Sequence, residues 1–181
     1  SPGHYAYLKI AEGCDRKCSF CAIPMIRGKH ISRTVEAILK EAEYLAAHGV
    51  KEINVISQDT TYFGLDLYKR KALPGLLEKL SGVNRLEWIR LHYTYPEGFP
   101  LEILDVIKYN ANICRYIDIP LQHINTRLLK SMKRGIDREG TIRLLDKIRE
   151  RIPGVAIRTS LIVGYPGETQ KEFNELIKFV E

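Results

Sequence analysis

The chain has 181 residues, of which 45% are apolar and 28% charged, and its formal net charge is +6. This length and composition are typical of one globular domain with a sizeable core. No apolar run approaches the about 18 residues that a membrane-spanning helix needs, so we expect no membrane association.

Short β-rich runs alternate with amphipathic helices along the chain, and this pattern predicts parallel α/β units. A first strand is predicted over 5–10, and a cysteine-rich loop follows it. A helix then starts near Ser32 or Thr34 and ends at Gly49, and a second strand covers 52–56.

The second half continues the same alternation. The predicted elements are a short helix over about 74–80, a strand over 86–91, a helix with Pro100 in its first turn, a strand over 115–119, a helix capped by Asn125 that ends at Gly135, a helix capped by Asp137 that runs to about 152, a strand within 155–163, and a final helix with a capping box of Thr169 and Glu172. Five such units cannot close an eight-stranded barrel, so we predict an open, TIM-like partial barrel; a flat doubly wound sheet remains the alternative. Because the chain starts in a strand and stops in a helix, we expect residues 1–181 to be one domain of a longer protein, with a further strand beyond Glu181.

Three cysteines, Cys14, Cys18 and Cys21, stand within eight residues in a Cys-x₃-Cys-x₂-Cys pattern. Iron–sulfur cubanes usually take four cysteines, so three leave one iron with an open coordination position. The alternative is a structural zinc site completed by His30. Cys114 lies in an apolar stretch and is predicted to be a buried side chain and not a ligand. Free thiolates of this kind suit a reducing compartment, which predicts a cytoplasmic protein.

Polar side chains follow the predicted strands at their carboxyl ends, where parallel α/β folds bind ligands. They include Gln58 and Asp59, His92 and Tyr93, Gln122 and His123, Arg158 and Ser160, and the turn at Gly164–Gly167. We expect these ends to meet at one rim. Phe20 precedes Cys21, and its ring either covers a ligand or anchors the loop in the core.

Basic residues form three groups in the sequence. These are Arg27, Lys29, His30 and Arg33; Lys69, Arg70 and Lys71; and Lys130, Lys133, Arg134 and Arg138. They favour an anionic partner such as the ribosome or RNA, although a solvated basic surface explains them equally well.

The motifs resemble those of radical S-adenosylmethionine (SAM) enzymes and, among these, the methylthiotransferases. Beyond the cysteines, the resemblance rests on Ile119–His123, Met132–Gly135 and Ile162–Thr169. One branch of this family modifies an adenosine of transfer RNA, and the other modifies an aspartate of a small-subunit ribosomal protein. The runs Ser57–Thr61, His92–Pro96 and Arg158–Ser160 favour the ribosomal-protein branch, and transfer RNA is kept as the alternative target.

The resemblance implies that Cys14, Cys18 and Cys21 hold one [4Fe-4S] cluster and that SAM binds its open iron. It also implies SAM contacts from Phe20 to Ile23, from Ile162 to Gly164, and from Gln58, Gln122, Arg158 and Ser160. Arg158 is the candidate partner of the SAM carboxylate. The expected chemistry is SAM cleavage to a radical that takes hydrogen from the aspartate β-carbon, with the methyl group supplied by a second SAM.

Family members also carry an N-terminal domain with a second [4Fe-4S] cluster and a C-terminal β-barrel domain, and neither is expected in this sequence. The expected partners are the small-subunit ribosomal protein or assembled ribosome, and an electron donor such as flavodoxin or ferredoxin. Two non-enzymatic alternatives stay open, an iron–sulfur electron-transfer module and a zinc-containing ribosome-binding module.

Overall fold

The computed structural model describes residues 3–181 and consists of short strands alternating with helices. The strands are β1 (Tyr5–Lys9), β2 (Ala11–Glu12), β3 (Ile31–Ser32), β4 (Glu52–Ile56), β5 (Trp88–Leu91), β6 (Tyr116–Asp118) and β7 (Ala156–Arg158). The helices are α1 (Ile23–Arg27), α2 (Val35–Ala47), α3 (Leu65–Tyr68), α4 (Leu73–Ser81), α5 (Glu102–Tyr109), α6 (Thr126–Ser131), α7 (Arg138–Arg151) and α8 (Gln170–Val180).

The parallel strands follow one another across the molecule in chain order. β1 pairs with β4, β4 pairs with β5, and β6 pairs with β7, all in parallel. An isolated parallel bridge between Ile89 and Ile113 joins β5 to the segment before β6. A doubly wound sheet reverses its strand order part of the way across. Neither parallel sheet, β1-β4-β5 or β6-β7, shows such a reversal. The predicted open partial barrel is therefore confirmed, and within residues 3–181 the strands do not close into a barrel.

The core lies between these strands and the helices that cover them. Apolar strand residues such as Leu8, Ile53 and Ile89 are fully buried. They pack with the buried faces of α2, α4, α5 and α7, for example through Ile38 and Leu77. Helices cover one side of the strands, and the polar residues lie at the carboxyl ends of the strands.

The helix starts follow the predicted caps. The side chains of Thr34, Asn125, Asp137 and Thr169 each accept a hydrogen bond from a backbone N–H in the first turn of α2, α6, α7 and α8. Glu172 completes the predicted capping box of α8. Each of these signals is local in sequence, which is why the pattern alone was enough to predict them.

Three details differ from the predictions. Pro100 lies before α5 and not in its first turn, because the helix begins at Glu102. α6 ends at Ser131, several residues before Gly135. The short α1, α3 and the β2–β3 antiparallel pair were not predicted, because each is too short to show a periodic apolar pattern.

No helix in the described part of the chain is both long enough and apolar enough to cross a membrane.

Candidate functional site

The cysteine loop leaves β2 at Gly13 and is held at both ends by backbone hydrogen bonds. The N–H of Cys14 donates to the carbonyl of Gly28 at 3.1 Å, and that of Ser19 donates to the carbonyl of Met132 at 3.2 Å. Cys14 is buried, Cys18 is half-buried and Cys21 is exposed, and all three are free thiols. The loop therefore presents its three sulfurs at different depths of one surface depression.

All three cysteines line a cavity of about 140 Å³ at the carboxyl ends of the strands. The complete lining is Cys14, Arg16, Cys18, Phe20, Cys21, Gln58, Tyr93, Thr94, Tyr95, Pro120, Gln122 and Arg134. A larger groove of about 850 Å³ lies on the helical side, around α4 and the start of α5, and no cysteine lines it. We place the functional site at the smaller cavity because the three cysteines meet candidate ligands from several strand ends there.

Three of the predicted SAM-contacting residues line the cavity with the cysteines: Phe20, Gln58 and Gln122. Gln58 donates through Nε2 to Glu12 Oε1 at 3.1 Å, whereas its buried Oε1 has no hydrogen-bond partner within residues 3–181. Phe20 is 39% exposed, so its ring is not anchored in the core. Gln58 therefore has a buried acceptor without a partner, and Phe20 has an available aromatic face.

The other predicted contacts do not line this cavity. Ile23 is the first residue of α1, and Arg158 donates through Nη1 to Asp118 Oδ1 at 2.9 Å. Ser160 and Ile162 run beside Gln122, which exchanges backbone hydrogen bonds with both of them. Gly164 donates its N–H to Glu168 Oε2 at 2.6 Å. The segment 160–162 is therefore next to a cavity residue, while Arg158 is engaged by a carboxylate of the chain itself.

Of the remaining polar residues of the strand ends, Tyr93 lines the cavity, and the others have structural partners. Asp59 accepts from Arg16 and Thr61, and His92 lies 3.0 Å from Asn54 and 3.4 Å from Asp118. His123 is fully buried, and its Nε2 lies 3.4 Å from Glu168 Oε1. The expectation that all the strand-end residues meet at one rim was therefore too broad.

His30 and Cys114 lie outside the cavity. His30 is buried, with its Nε2 3.1 Å from Ser32 Oγ, and burial lowers the pKa of its ring. Cys114 follows Ile113, which forms the isolated strand bridge. Its side chain is half-buried, whereas the sequence predicted a buried one. Burial raises the pKa of its thiol, so it stays protonated near neutrality.

Three cavity residues that motif reasoning did not assign form a stack beside Cys18. The guanidinium carbons of Arg16 and Arg134 lie 3.8 Å and 4.2 Å from the centre of the Tyr95 ring. Arg134 donates through Nη1 to Cys18 Sγ at 3.4 Å, and the hydroxyl of Tyr95 is 3.5 Å from the same sulfur. These residues are distant in sequence, so no local spacing could have brought them together.

The donor set of the cavity fits an iron–sulfur cluster. Burial, followed by the nearby Asp59 and the other two thiols, raises the pKa of the Cys14 thiol, and a coordinated metal overrides such a shift by displacing the proton. A cluster takes its thiolates on separate irons, so its sulfurs surround a volume and do not converge on one point. Among residues 3–181, no three His, Cys, Asp or Glu side chains are grouped closely enough to hold a single metal ion.

The chain is similar in sequence to proteins of known function over its full length. It is 60% identical over all 181 residues to the ribosomal protein uS12 methylthiotransferase RimO of Flavobacterium psychrophilum and 57% identical to that of Cytophaga hutchinsonii. The chain spans only 42% and 41% of the length of these two proteins.

Solved structures share the fold at low sequence identity. The radical S-adenosylmethionine methyltransferase TsrM of Kitasatospora setae, with cobalamin and a [4Fe-4S] cluster bound, superposes with a TM-score of 0.75 at 23% identity, covering 97% of this chain and 34% of TsrM. Coproporphyrinogen III oxidase (HemN) of Escherichia coli gives 0.69 at 21% identity, covering 97% of this chain and 41% of HemN.

The family assignment rests on a match that spans nearly the whole chain. The model of the radical SAM superfamily matches residues 8–180, which include the cysteine loop, the strand ends and all the cavity residues. With the three thiols at the carboxyl ends of parallel strands, this match shows that the chain belongs to the radical SAM superfamily.

Proposed function

We propose that this chain is the catalytic core of a methylthiotransferase that modifies an aspartate of a small-subunit ribosomal protein. The observation that carries the proposal is the cavity that three free thiols line together with Gln58, whose buried Oε1 has no hydrogen-bond partner among the described residues. The target follows from the relatives that are 60% and 57% identical over the full chain and are named for ribosomal protein uS12.

In this proposal Cys14, Cys18 and Cys21 hold a [4Fe-4S] cluster. When bound, the reduced cluster supplies an electron that cleaves SAM and gives a radical able to abstract hydrogen from an unactivated carbon. The chain's own contribution is to hold three thiolates in place and leave one iron position open. Gly28 and Met132 fix the loop backbone for this purpose.

The remaining cavity residues orient SAM in this proposal. Gln58 Oε1 is a buried acceptor without a partner, and it suits the ammonium group or a ribose hydroxyl of SAM. Phe20 supplies a partly exposed ring that stacks on the adenine and excludes water. Gln122 connects the cavity to 160–162 through its backbone, and in this proposal Ser160 and Ile162, with Ile23 and Gly164, contact the rest of the nucleoside.

Arg158 is proposed to bind the SAM carboxylate from the edge of the site. Its guanidinium uses Nη1 for Asp118, and 56% of its side chain is exposed. A guanidinium has five N–H donors, so the contact with Asp118 leaves others for a second carboxylate.

We also propose that residues 1–181 are the central domain of a longer cytoplasmic protein. The relatives are more than twice as long as this chain, which supports additional domains. The second [4Fe-4S] cluster and the sulfur to be transferred would belong to those domains, and a flavodoxin or ferredoxin would supply electrons.

The test is product analysis under anaerobic conditions. The reconstituted chain, SAM and a chemical reductant are mixed with small ribosomal subunits or with transfer RNA, and the products are followed by mass spectrometry. We expect 5′-deoxyadenosine from the chain alone, and methylthiolation of the ribosomal protein once the full-length protein is used.

Cys18→Ser is expected to abolish both products, whereas the matched control Cys114→Ser keeps them. A methylthio group on transfer RNA and none on the ribosomal protein would overturn the target, and formation of 5′-deoxyadenosine by Cys18→Ser would overturn the site.

A further inference from the structure

Arg134 is a buried cation next to the cysteine loop, and it lacks the partner that such a cation usually has. Its side chain is 4% exposed. It donates to Cys18 Sγ through Nη1 and to the carbonyl of Pro120 through Nη2, and within residues 3–181 its Nε has no hydrogen-bond partner. A buried charge is costly unless an opposite charge lies nearby, so the site around Arg134 favours an anion.

Arg16, on the other face of Tyr95, provides the contrast. It donates through Nε to Asp59 at 2.9 Å and through Nη1 to Glu97 at 2.8 Å. Its charge is therefore matched by two carboxylates of the chain. Among the described residues, Arg134 has only a thiol sulfur and a carbonyl as acceptors, so no carboxylate offsets its charge beside the Cys18 sulfur.

Tyr95 fixes the position of Arg134. Its hydroxyl donates to the backbone carbonyl of Arg134 at 3.1 Å, and its ring lies against the guanidinium at 4.2 Å. Because the single hydroxyl proton is used in that bond, Tyr95 does not donate to Cys18 at the same time. The N–H of Arg134 is then the donor that reaches the Cys18 sulfur.

We infer that Arg134 is a positioning residue that hydrogen-bonds the Cys18 thiolate and makes a cluster held by the three cysteines easier to reduce. The inference rests on the proposed function, since it requires that cluster. Reduction adds one electron, and therefore one negative charge, to a group already carrying three thiolates. A fixed cation and an N–H donor at the sulfur stabilise that added charge, and both raise the reduction potential of iron–sulfur centres.

Three substitutions separate charge, geometry and general effects. Arg134→Gln removes the charge and keeps a donor group, Arg134→Lys keeps the charge and loses the planar fork, and Tyr95→Phe keeps the ring but loses the hydroxyl that fixes Arg134. The matched control is Arg151→Gln, which removes a positive charge at the end of α7, where Arg151 pairs with Asp105. That helix end leads into the amino end of β7, whereas the cavity lies at the carboxyl ends of the strands.

The measurement is a redox titration of each anaerobically reconstituted protein, with the reduced cluster followed by electron paramagnetic resonance. At a fixed potential we expect Arg134→Gln to lower the ratio of reduced to oxidised cluster about tenfold, equivalent to about 59 mV for a one-electron couple. Arg134→Lys and Tyr95→Phe are expected to shift it in the same direction by less, and Arg151→Gln to leave it unchanged.

The outcomes distinguish this inference from the proposed function. Unchanged potentials in the Arg134 and Tyr95 variants, with lower melting temperatures only, would give Arg134 a purely structural role and overturn the inference. An equal shift in Arg151→Gln would assign the effect to net charge and also overturn it. Failure of the unsubstituted protein to assemble a four-iron cluster would instead remove the proposed function, and the inference with it. If Arg134→Gln does not fold, Arg134→Lys and Tyr95→Phe still decide the question.

Discussion

Gly13 places Cys14 in the cavity because the backbone there leaves no room for a side chain. Its φ is +75°, and an added Cβ would lie 2.0 Å from the carbonyl oxygen of Lys29. That is far inside van der Waals contact, so the loop or the segment at 28–30 has to move when any Cβ is added. The glycine beside the first cysteine thus has a steric function in addition to its conformational one.

We predict that Gly13→Ala disrupts the cysteine loop. Gly154 is the matched control, since its φ is +76° but nothing lies within 4 Å of an added Cβ. Gly154→Ala is expected to cost about 1 kcal/mol of stability from backbone strain alone and to retain iron. Gly13→Ala is expected to cost more and to weaken iron retention about tenfold. Iron content after reconstitution and urea unfolding measure both effects, and equal iron contents would contradict the prediction.

Arg158 ties the ends of β6 and β7 together through a fully buried carboxylate. Asp118 receives Arg158 Nη1 at 2.9 Å and the N–H of Tyr93 at 3.2 Å, and His92 lies 3.4 Å away. Because Arg158 itself is more than half exposed, solvent screens much of the attraction. The contact is nevertheless the only one that brings a guanidinium to Asp118 among the described residues.

We predict that Arg158→Ala has two separable effects. It should lower stability by about 1 kcal/mol, and by less in an Asp118→Asn background, because the partner charge is then already absent. If Arg158 also binds the SAM carboxylate, the dissociation constant for SAM rises about tenfold. Urea unfolding of the four proteins measures the first effect and calorimetric titration with SAM the second. Unchanged SAM affinity would rule out the carboxylate assignment and leave Arg158 a structural role.

At the scale of elements, α8 begins with a capping box that an arginine reinforces. Glu172 accepts the N–H of Thr169 at 2.9 Å and is held by Arg127 Nε at 2.7 Å and Nη2 at 2.6 Å. Chiefly because of Arg127, and then of Thr169, the pKa of Glu172 falls from its ordinary 4.5 to about 2. The charged form of Glu172 is therefore the one that joins α6 to α8.

This shift predicts a pH-dependent contribution to stability. Because the folded-state pKa is lowered, the contribution is fully present above about pH 4.5 and is lost as the pH falls towards about 2. Glu172→Gln should therefore be less stable than the unsubstituted protein at neutral pH, and the difference should shrink over that acidic range. Urea unfolding at several pH values measures it, with the exposed Glu150→Gln as control. A difference that is independent of pH would contradict the ionic role of Glu172.

Local signals and long-range contacts differ in how far the sequence predicts them. The caps at Thr34, Asn125, Asp137 and Thr169 and the strand at 52–56 were predictable because each depends on neighbours within a few residues. The three cysteines were predictable from their spacing. In contrast, the approach of Arg134 to Cys18 joins residues 116 positions apart, and only the fold brings them together.

The same difference explains why only some of the predicted SAM-contacting residues line the cavity. Gln58 and Gln122 lie in the segments that follow β4 and β6, and both line the cavity. Arg158 belongs to β7, yet a buried aspartate on the neighbouring strand engages it, and no sequence pattern reveals that pairing. Predicting which strand-end residue faces a ligand requires knowing which of them is already satisfied by another strand.

At the scale of the whole molecule, the parallel sheets β1-β4-β5 and β6-β7 follow one another in chain order, with helices on one side and the cysteine loop at the carboxyl ends of the strands. This arrangement gathers side chains from the segments that follow β2, β4, β5 and β6 around one cavity. The central claim is that this cavity holds a cluster with one iron position open to SAM. Ligands that bind the folded state also stabilise it, so reconstitution should raise the melting temperature of the chain.

The most direct test is electron paramagnetic resonance of the anaerobically reconstituted and reduced chain, recorded with and without SAM. We predict a four-iron signal that changes when SAM is added, because SAM occupies the open iron. Cys114→Ser should give the same result, and Cys18→Ser should lose the signal. A four-iron signal that is the same with and without SAM would contradict the claim, since it would mean that the fourth iron is already occupied or that the cavity does not bind SAM.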